Sequence, residues 1–284
     1  MTFTWTRIVR DALVLLGVIA AAVYWIALTE SGGQPVDAHA YWAADPGNLY
    51  GLALAGQTSD RYAYTPAFEL AIGWSRLLPF EVFMAIWRAI LLAILVYLAG
   101  PFTLFALLTV PVASEINAGN IQLVLALAIV LGFRWPATWA FVVLTKVTPG
   151  IGLLWFALRR RWRELGIAIG ATVAIGAVSL LLGPGRWIDY VRVLVSSPET
   201  SVAPYYLPLF VRLPVALAFV AWGGWTGKRW PAVVAATIAL PVYFIISSSM
   251  LVGVLPFVRQ ALGRLIDEGR LPVPRLNPAP EVAP

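Results

Sequence analysis

The chain has 284 residues, 60% of them hydrophobic and only 12% charged, with a formal net charge of +6 and a mean hydropathy of +0.82. A soluble domain carries about twice that charged fraction, and repeated continuous apolar runs of spanning length exclude both an ordinary soluble enzyme and a β-barrel. The positive charge does not point to nucleic acid, because the basic residues gather in short connections between apolar runs, and the absence of cysteine excludes disulfide and thiol chemistry.

Arg7 and Arg10 precede an apolar run, Ala12 to Leu28. Ala38-His39-Ala40 imitates a signal cleavage site, but it lies about a dozen residues past the run, so a retained first helix with a cytoplasmic N-terminus is expected. Val36 to Pro66 is then a polar extracytoplasmic loop. It carries Asp37, Asp45, Asp60, the single His39, and Tyr41, Tyr50, Tyr62 and Tyr64. Pro66 suits the first turn of a new helix, and Pro66 to Leu78 predicts a partial or interfacial one. Val82 to Ala99 spans inward, Gly100-Pro101 breaks it, and Phe102 to Ala113 returns outward.

Ser114 to Asn120 is a second polar island on the outer side, containing Glu115 and Asn117. Ile121 to Phe133 runs inward to Arg134. The stretch from Pro136 to Leu158 fits either one span or a broken pair that climbs to Lys146 and descends to the basic run Arg159-Arg160-Arg161-Trp162-Arg163. The broken pair keeps Arg134 with the other basic connections. At ~1.5 Å per residue it leaves Lys146 near mid-bilayer, where broken helices are tolerated if they line a cavity.

Leu165 to Leu182 spans outward. Gly183 to Tyr206 forms a second long outer loop, with a short amphipathic helix around Trp187, Tyr190, Val191 and Leu194. Leu207 to Trp222, Pro231 to Ile246 and Met250 to Val258 complete the expected all-α, polytopic membrane bundle of about ten helical segments. Residues 1–258 form its membrane domain, and 259–284 a cytoplasmic, Pro-rich, disordered tail.

The outer islands and Lys146 can share one extracytoplasmic cavity. An ionisable group within a bilayer is a functional candidate by default, because it costs about 2.5–3.5 kcal/mol at a helix centre. A carboxylate can deprotonate a hydroxyl, and a Lys or Arg can offset charge developing on a leaving phosphate. Each group also has a plainer reading. Asp37 suits a solvated loop carboxylate, Asp45 a turn and Asp60-Arg61 a surface pair. Glu69, Arg76 and Arg88 can pair inside the bundle, and Arg212 can snorkel to the interface.

Asp37-x-x-x-Tyr41, Asn48-Leu49-Tyr50 and Tyr62-x-Tyr64-Thr65-Pro66 resemble, in that order, the first outer loop of glycosyltransferase family 87. Ala118-Gly119-Asn120-Ile121-Gln122 and Leu144-Thr145-Lys146-Val147-Thr148-Pro149, followed by the basic run, extend the resemblance over roughly residues 10–210. The resemblance implies a GT-C-type polytopic transferase that moves a hexose, mannose at the family level, from a polyprenyl-phosphate sugar to a lipid or glycan acceptor. It implies Asp37 as general base, Lys146 beside the lipid phosphate, and Asn120 and Gln122 in a motif of unassigned role. His39, Tyr41, Tyr62 and Tyr64 are expected to shape the sugar site, with Glu115 and Asn117 nearby and Arg88 or Arg192 assisting the leaving phosphate. No cofactor is expected, although one His without Cys leaves carboxylates that could hold a divalent cation. Two departures stand out: Tyr-Thr-Pro replaces the family's Tyr-Pro-Pro, and the chain is shorter than most relatives, which implies fewer C-terminal spans. A lipid-linked substrate flippase and a non-catalytic membrane subunit are the alternative readings.

Overall fold

The computed structural model describes residues 5–31, 35–57, 60–196 and 207–268; the Pro-rich stretch 271–284 and residues 197–206 of the second long loop lie outside them. Every regular element among the described residues is helical. Among the described residues five stretches are long and apolar enough to cross a membrane: Arg7–Glu30, Phe80–Leu107, Trp162–Leu182, Leu209–Thr226 and Ile245–Ile266. A sixth arises if the bent pair Val110–Ala118 and Gln122–Gly132 counts as one span.

The first helix, α1 (Trp5–Glu30), turns Leu15, Leu16, Ile19, Val23 and Ile26 outward, as a lipid-facing helix does. The loop that follows is not irregular. It holds α2 (Val36–Trp42) and α3 (Gly51–Leu54), and ends at α4 (Pro66–Ile72), which Pro66 opens and a 3₁₀ turn, Gly73–Leu77, closes. Helix α5 (Phe80–Ala99) runs antiparallel to α1: Arg88 donates to the Leu28 carbonyl at 2.7 Å towards one end, and Gly17 meets Thr103 just past the other. Trp25 Nε1 adds a bond to the Ala85 carbonyl at 2.9 Å.

Phe80–Leu107 is one 28-residue helical stretch by length alone, yet the chain reverses inside it. Gly100 has φ +56° and ψ −119°, a conformation open to glycine and costly for other residues. Beyond it, α6 (Thr103–Leu107) packs Thr103 on Gly17 of α1, and Tyr24 reaches the Ala113 carbonyl at 3.4 Å. The expected span, break and return are therefore all present. Arg259 closes the reversal by donating to the Tyr97 carbonyl at 3.1 Å.

Helix α7 (Val110–Ala118) ends at Gly119, in the left-handed conformation, and α8 (Gln122–Gly132) leaves it at 108°. Helix α9 (Trp139–Thr145) climbs from the 3₁₀ turn Pro136–Thr138. After Lys146 the chain descends through the 3₁₀ segment Thr148–Leu153 and α10 (Leu154–Leu158). Gly152 lies against the Trp139 ring, so the two limbs run side by side in opposite directions. This is the broken pair, and Phe133 accordingly packs among Trp155, Phe156, Phe257 and Arg229 at the basic end.

Helix α11 (Trp162–Leu182) buries only Ala168 and Ser179 and lies at the periphery. Helix α12 (Pro184–Ser196) is the amphipathic helix of the second long loop. It buries Tyr190 and Val193 and exposes Ile188, Val191, Leu194 and Val195. Helices α13 (Leu209–Thr226) and α14 (Trp230–Ile238) form a hairpin turned at Gly227. The interior face of α14 is nearly all alanine and valine (Ala232, Val233, Ala235, Ala236), which lets neighbouring backbones approach closely where lipid gives no hydrophobic drive. Arg212 donates to the carbonyls of Leu207, Ile238, Leu240 and Pro241 around the end of α14. The 3₁₀ segment Ile245–Val254 packs on α7 and α8 and continues into α15 (Leu255–Asp267), which runs across the expected domain limit at residue 258.

Candidate functional site

Asp37 sits in the first turn of α2 with Tyr41 four residues on, so both side chains share one helical face. Its Oδ2 accepts a hydrogen bond from Asn120 Nδ2 at 2.8 Å, and Asn120 Oδ1 accepts from the Ile121 N–H at 2.6 Å. That second bond orients the amide so that its NH₂ faces Asp37. Asp37 Oδ1 accepts from no group among the described residues. Burial pushes the Asp37 carboxyl above its ordinary value, while the Asn120 hydrogen bond and the Lys146 charge pull it down.

The Gly119 turn makes this contact possible. A Cβ on Gly119 would lie 2.6 Å from Ala38 Cβ and 3.3 Å from the Trp87 ring, and φ there is +67°. Trp87 Nε1 donates to the Gly119 carbonyl at 2.8 Å, and its ring packs edge-on against Tyr41. Glycine is thus required twice over, by close approach and by backbone conformation.

Tyrosines link Asp37's helix to Lys146. Tyr41 and Tyr64 share a hydrogen bond between their hydroxyls at 3.0 Å, and Lys146 Nζ lies 5.6 Å from the centre of the Tyr64 ring. Tyr50 donates to the Tyr64 carbonyl at 2.6 Å, and Tyr62 to that of Thr65 at 3.2 Å. Thr65 in turn hydroxyl-bonds the Leu144 carbonyl, tying the start of α4 to the end of α9. Lys146 makes no ion pair among the described residues, so its charge remains available to a ligand.

The structure thus brings together Asp37, Tyr41, Tyr62, Tyr64, Asn120 and Lys146. The other expected site residues are engaged elsewhere or lie apart. His39 faces away from Asp37, and its Nδ1 pairs with Asp60 Oδ1 at 2.8 Å, which replaces the expected Asp60–Arg61 pair. Glu115 is fully buried and acts as a brace: its Oε1 accepts from the Leu123 N–H and its Oε2 from the Ser249 hydroxyl, both at 2.9 Å. Arg88 faces α1 and caps its last turn. Arg192 is exposed and pairs with Asp189 at 2.9 Å. Asn117 is exposed, whereas Gln122 is buried with Oε1 unpartnered. Among the described residues no three His, Asp or Glu side chains gather as metal ligands would.

Trp87 and Ser249 escape a sequence reading. Trp87 is one of many tryptophans in apolar runs, and Ser249 lies 134 residues from the Glu115 it braces. Arg186 is a third: it joins Arg76 on the buried Glu69, at 3.4 and 2.7 Å, in the place expected for Arg88. The helical face of α2 did carry a signal in the Asp37–Tyr41 spacing.

The sequence profile of glycosyltransferase family 87 matches residues 62–259, a segment that holds Tyr62, Tyr64, Asn120 and Lys146 and begins after Asp37. Two curated proteins similar to this chain are both named polyprenol-phosphate-mannose-dependent alpha-(1-2)-phosphatidylinositol pentamannoside mannosyltransferase. The one from Mycolicibacterium smegmatis is 30% identical, over 62% of this chain and 50% of the relative. The one from Mycobacterium tuberculosis is 26% identical, over 62% of this chain and 48% of the relative. The chain spans about half the length of these curated relatives. No solved structure matches it.

Proposed function

Because the chain belongs to glycosyltransferase family 87, we propose that it is a multi-pass membrane mannosyltransferase that uses a polyprenyl-phosphate mannose donor and a lipid-linked or glycan acceptor. The reaction is an inverting single displacement. Asp37 Oδ1 takes the proton of an acceptor hydroxyl as that oxygen bonds the anomeric carbon. The bond from that carbon to the phosphate oxygen breaks, and the polyprenyl phosphate leaves with the electron pair. Lys146 offsets the charge that develops on the phosphate. Asn120 holds the carboxylate in register, and Tyr41 and Tyr64 wall the space between base and cation. The positive-inside bias supports a cytoplasmic basic end at Arg134, Arg159 and Arg229, which puts the Asp37 end on the extracytoplasmic side of the plasma membrane.

The observation that carries this reading is Asp37 itself, held by a neutral amide through one oxygen while the other stays unpartnered beside an unpaired lysine. Labelled mannose transfer from polyprenyl-phosphate mannose into a lipid extract tests it. Asp37→Asn, folded as the wild type, is expected to lose about 10²–10⁴-fold in rate, the usual contribution of a positioned base. Full activity in that variant would remove Asp37 from the mechanism.

A further inference from the structure

The cations of this protein divide by end. At the Asp37 end, Arg76 and Arg186 pair with Glu69, Arg192 with Asp189 and His39 with Asp60. At the opposite end three turns meet: 133–135 after α8, 159–161 after α10 and 227–229 after α13. Arg229 lies over the Phe133 ring at 5.7 Å, and Phe133 packs on Trp155 at 5.1 Å. Trp155 Nε1 donates to the Lys228 carbonyl at 2.8 Å, and Arg159 Nη1 to that of Gly224 at 3.4 Å. Arg134, Arg159, Arg160, Lys228 and Arg229 are all exposed. Among the described residues none of them pairs with a carboxylate. Glu164, in the first turn of α11, is taken by Arg161.

Basic connections orient a membrane protein, but that bias asks only for charge, not for a shape. Two features here go further. Arg134 lies over Trp135 and Lys228 over Trp222, both at 5.0 Å. A cation on a ring face keeps N–H donors for another partner. The second feature is Arg160, whose φ is +54°. Its N–H donates to the Ala157 carbonyl at 2.9 Å, and the Arg161 N–H to that of Phe156 at 2.8 Å. This is a helix C-terminus that ordinarily places glycine at that position. The adjoining turn does so, with Gly227 at φ +72°. Arginine there costs backbone free energy, and its side chain recovers none of it from a bond among the described residues. Around the three turns Trp135, Trp162 and Trp225 are exposed, as tryptophans are at the headgroup level of a bilayer.

We propose that the turns 159–161 and 227–229 seat the phosphate of an anionic phospholipid in the leaflet that this end faces. Arg159, Arg160, Lys228 and Arg229 donate to its oxygens, the arginines through the forked N–H groups that match a phosphate. One lipid thereby ties the α10–α11 turn to the α13–α14 turn and braces the descending limb of the broken pair. The site needs a membrane but not the transferase reaction, so it stands if that reading fails.

The test titrates the full chain in neutral detergent with phosphatidylglycerol, using phosphatidylcholine and inorganic phosphate as controls. The wild type is expected to bind phosphatidylglycerol at least about tenfold more tightly than either control. Arg159→Gln/Arg229→Gln is expected to lose about tenfold of that affinity. Arg7→Gln/Arg10→Gln removes the same charge from the start of α1, at the same end, and is expected to bind as the wild type does. Arg160→Gly keeps the test valid if the first glutamine variant misfolds. It relieves the left-handed backbone, so without lipid its melting temperature should hold or rise while its phosphatidylglycerol affinity falls several-fold. A merely structural arginine would instead lower the melting temperature when replaced. Equal affinity for phosphatidylglycerol and either control, equal losses in the two paired glutamine variants, or full affinity in Arg160→Gly overturns the proposal.

Discussion

Two carboxylates near the start of α4 and in α2, Glu69 and Asp37, are surrounded in opposite ways. Glu69 is held through both oxygens by two guanidinium groups, Arg76 at 2.7 Å and Arg186 at 3.4 Å. Each of its oxygens has a donor and its charge is more than matched. Asp37 is held through one oxygen by a neutral amide, and the Lys146 ammonium lies over a tyrosine ring instead of pairing with it. The sequence presents both as acidic residues among arginines, lysines and aromatics. The contrast shows that a charge cluster serves the fold when every acceptor is taken, and can serve chemistry when one is left over.

That contrast can be broken by moving each carboxylate's defect to the other property. Glu69→Gln leaves Arg76 and Arg186 uncompensated beside a buried amide. It should cost about 3 kcal/mol, the low end for a broken buried pair, since both arginines keep some water. Denaturation in detergent would register the loss, and the folded fraction should retain its transfer rate. A variant that is stable but inactive would place Glu69 with Asp37 instead. Gly119→Ala is the intermediate case, striking both properties. Its methyl group meets Ala38 at 2.6 Å in a left-handed backbone, so about 2 kcal/mol of stability should be lost, and α2 with its Asp37 should shift. Melting and single-turnover transfer should both fall, and an unchanged rate would show that α2 tolerates displacement.

The smallest expected effect sharpens the comparison. Asn120→Ala removes the hydrogen bond that lowers the Asp37 proton affinity. A base must be deprotonated to act, so the rate falls on the acid side of its pKa. Burial already raises that pKa, and the variant should move the acid limb of the pH–rate profile to still higher pH. Profiles at saturating donor for the two proteins would show the shift, and superimposable limbs would mean that Asp37 does not govern them.

Much of the scaffold was legible in sequence. The Gly100-Pro101 reversal, the broken pair around Lys146 and the amphipathic α12 follow from local chemistry: glycine conformation, proline placement and helical spacing. Asp37, Tyr64, Asn120 and Lys146 come together as expected. The misses share one cause. His39 with Asp60, Glu115 with Ser249 and Glu69 with Arg186 are pairings across the chain that no local pattern encodes. The short helices α2 and α3 were hidden for another reason, since seven- and four-residue helices have too few turns to show a period.

The Glu115–Ser249 bond has a consequence for biosynthesis. Those residues are 134 positions apart, and at about 5–20 residues per second the ribosome needs roughly 7–27 s to travel between them. Throughout that interval Glu115 has emerged without the hydroxyl that completes its bonding, and α7 lacks the segment that packs beside it. The nascent chain therefore carries a carboxylate whose Oε2 lacks its hydroxyl partner until residue 249 has been made. Ser249→Ala makes that state permanent and should lower the melting temperature of the finished protein.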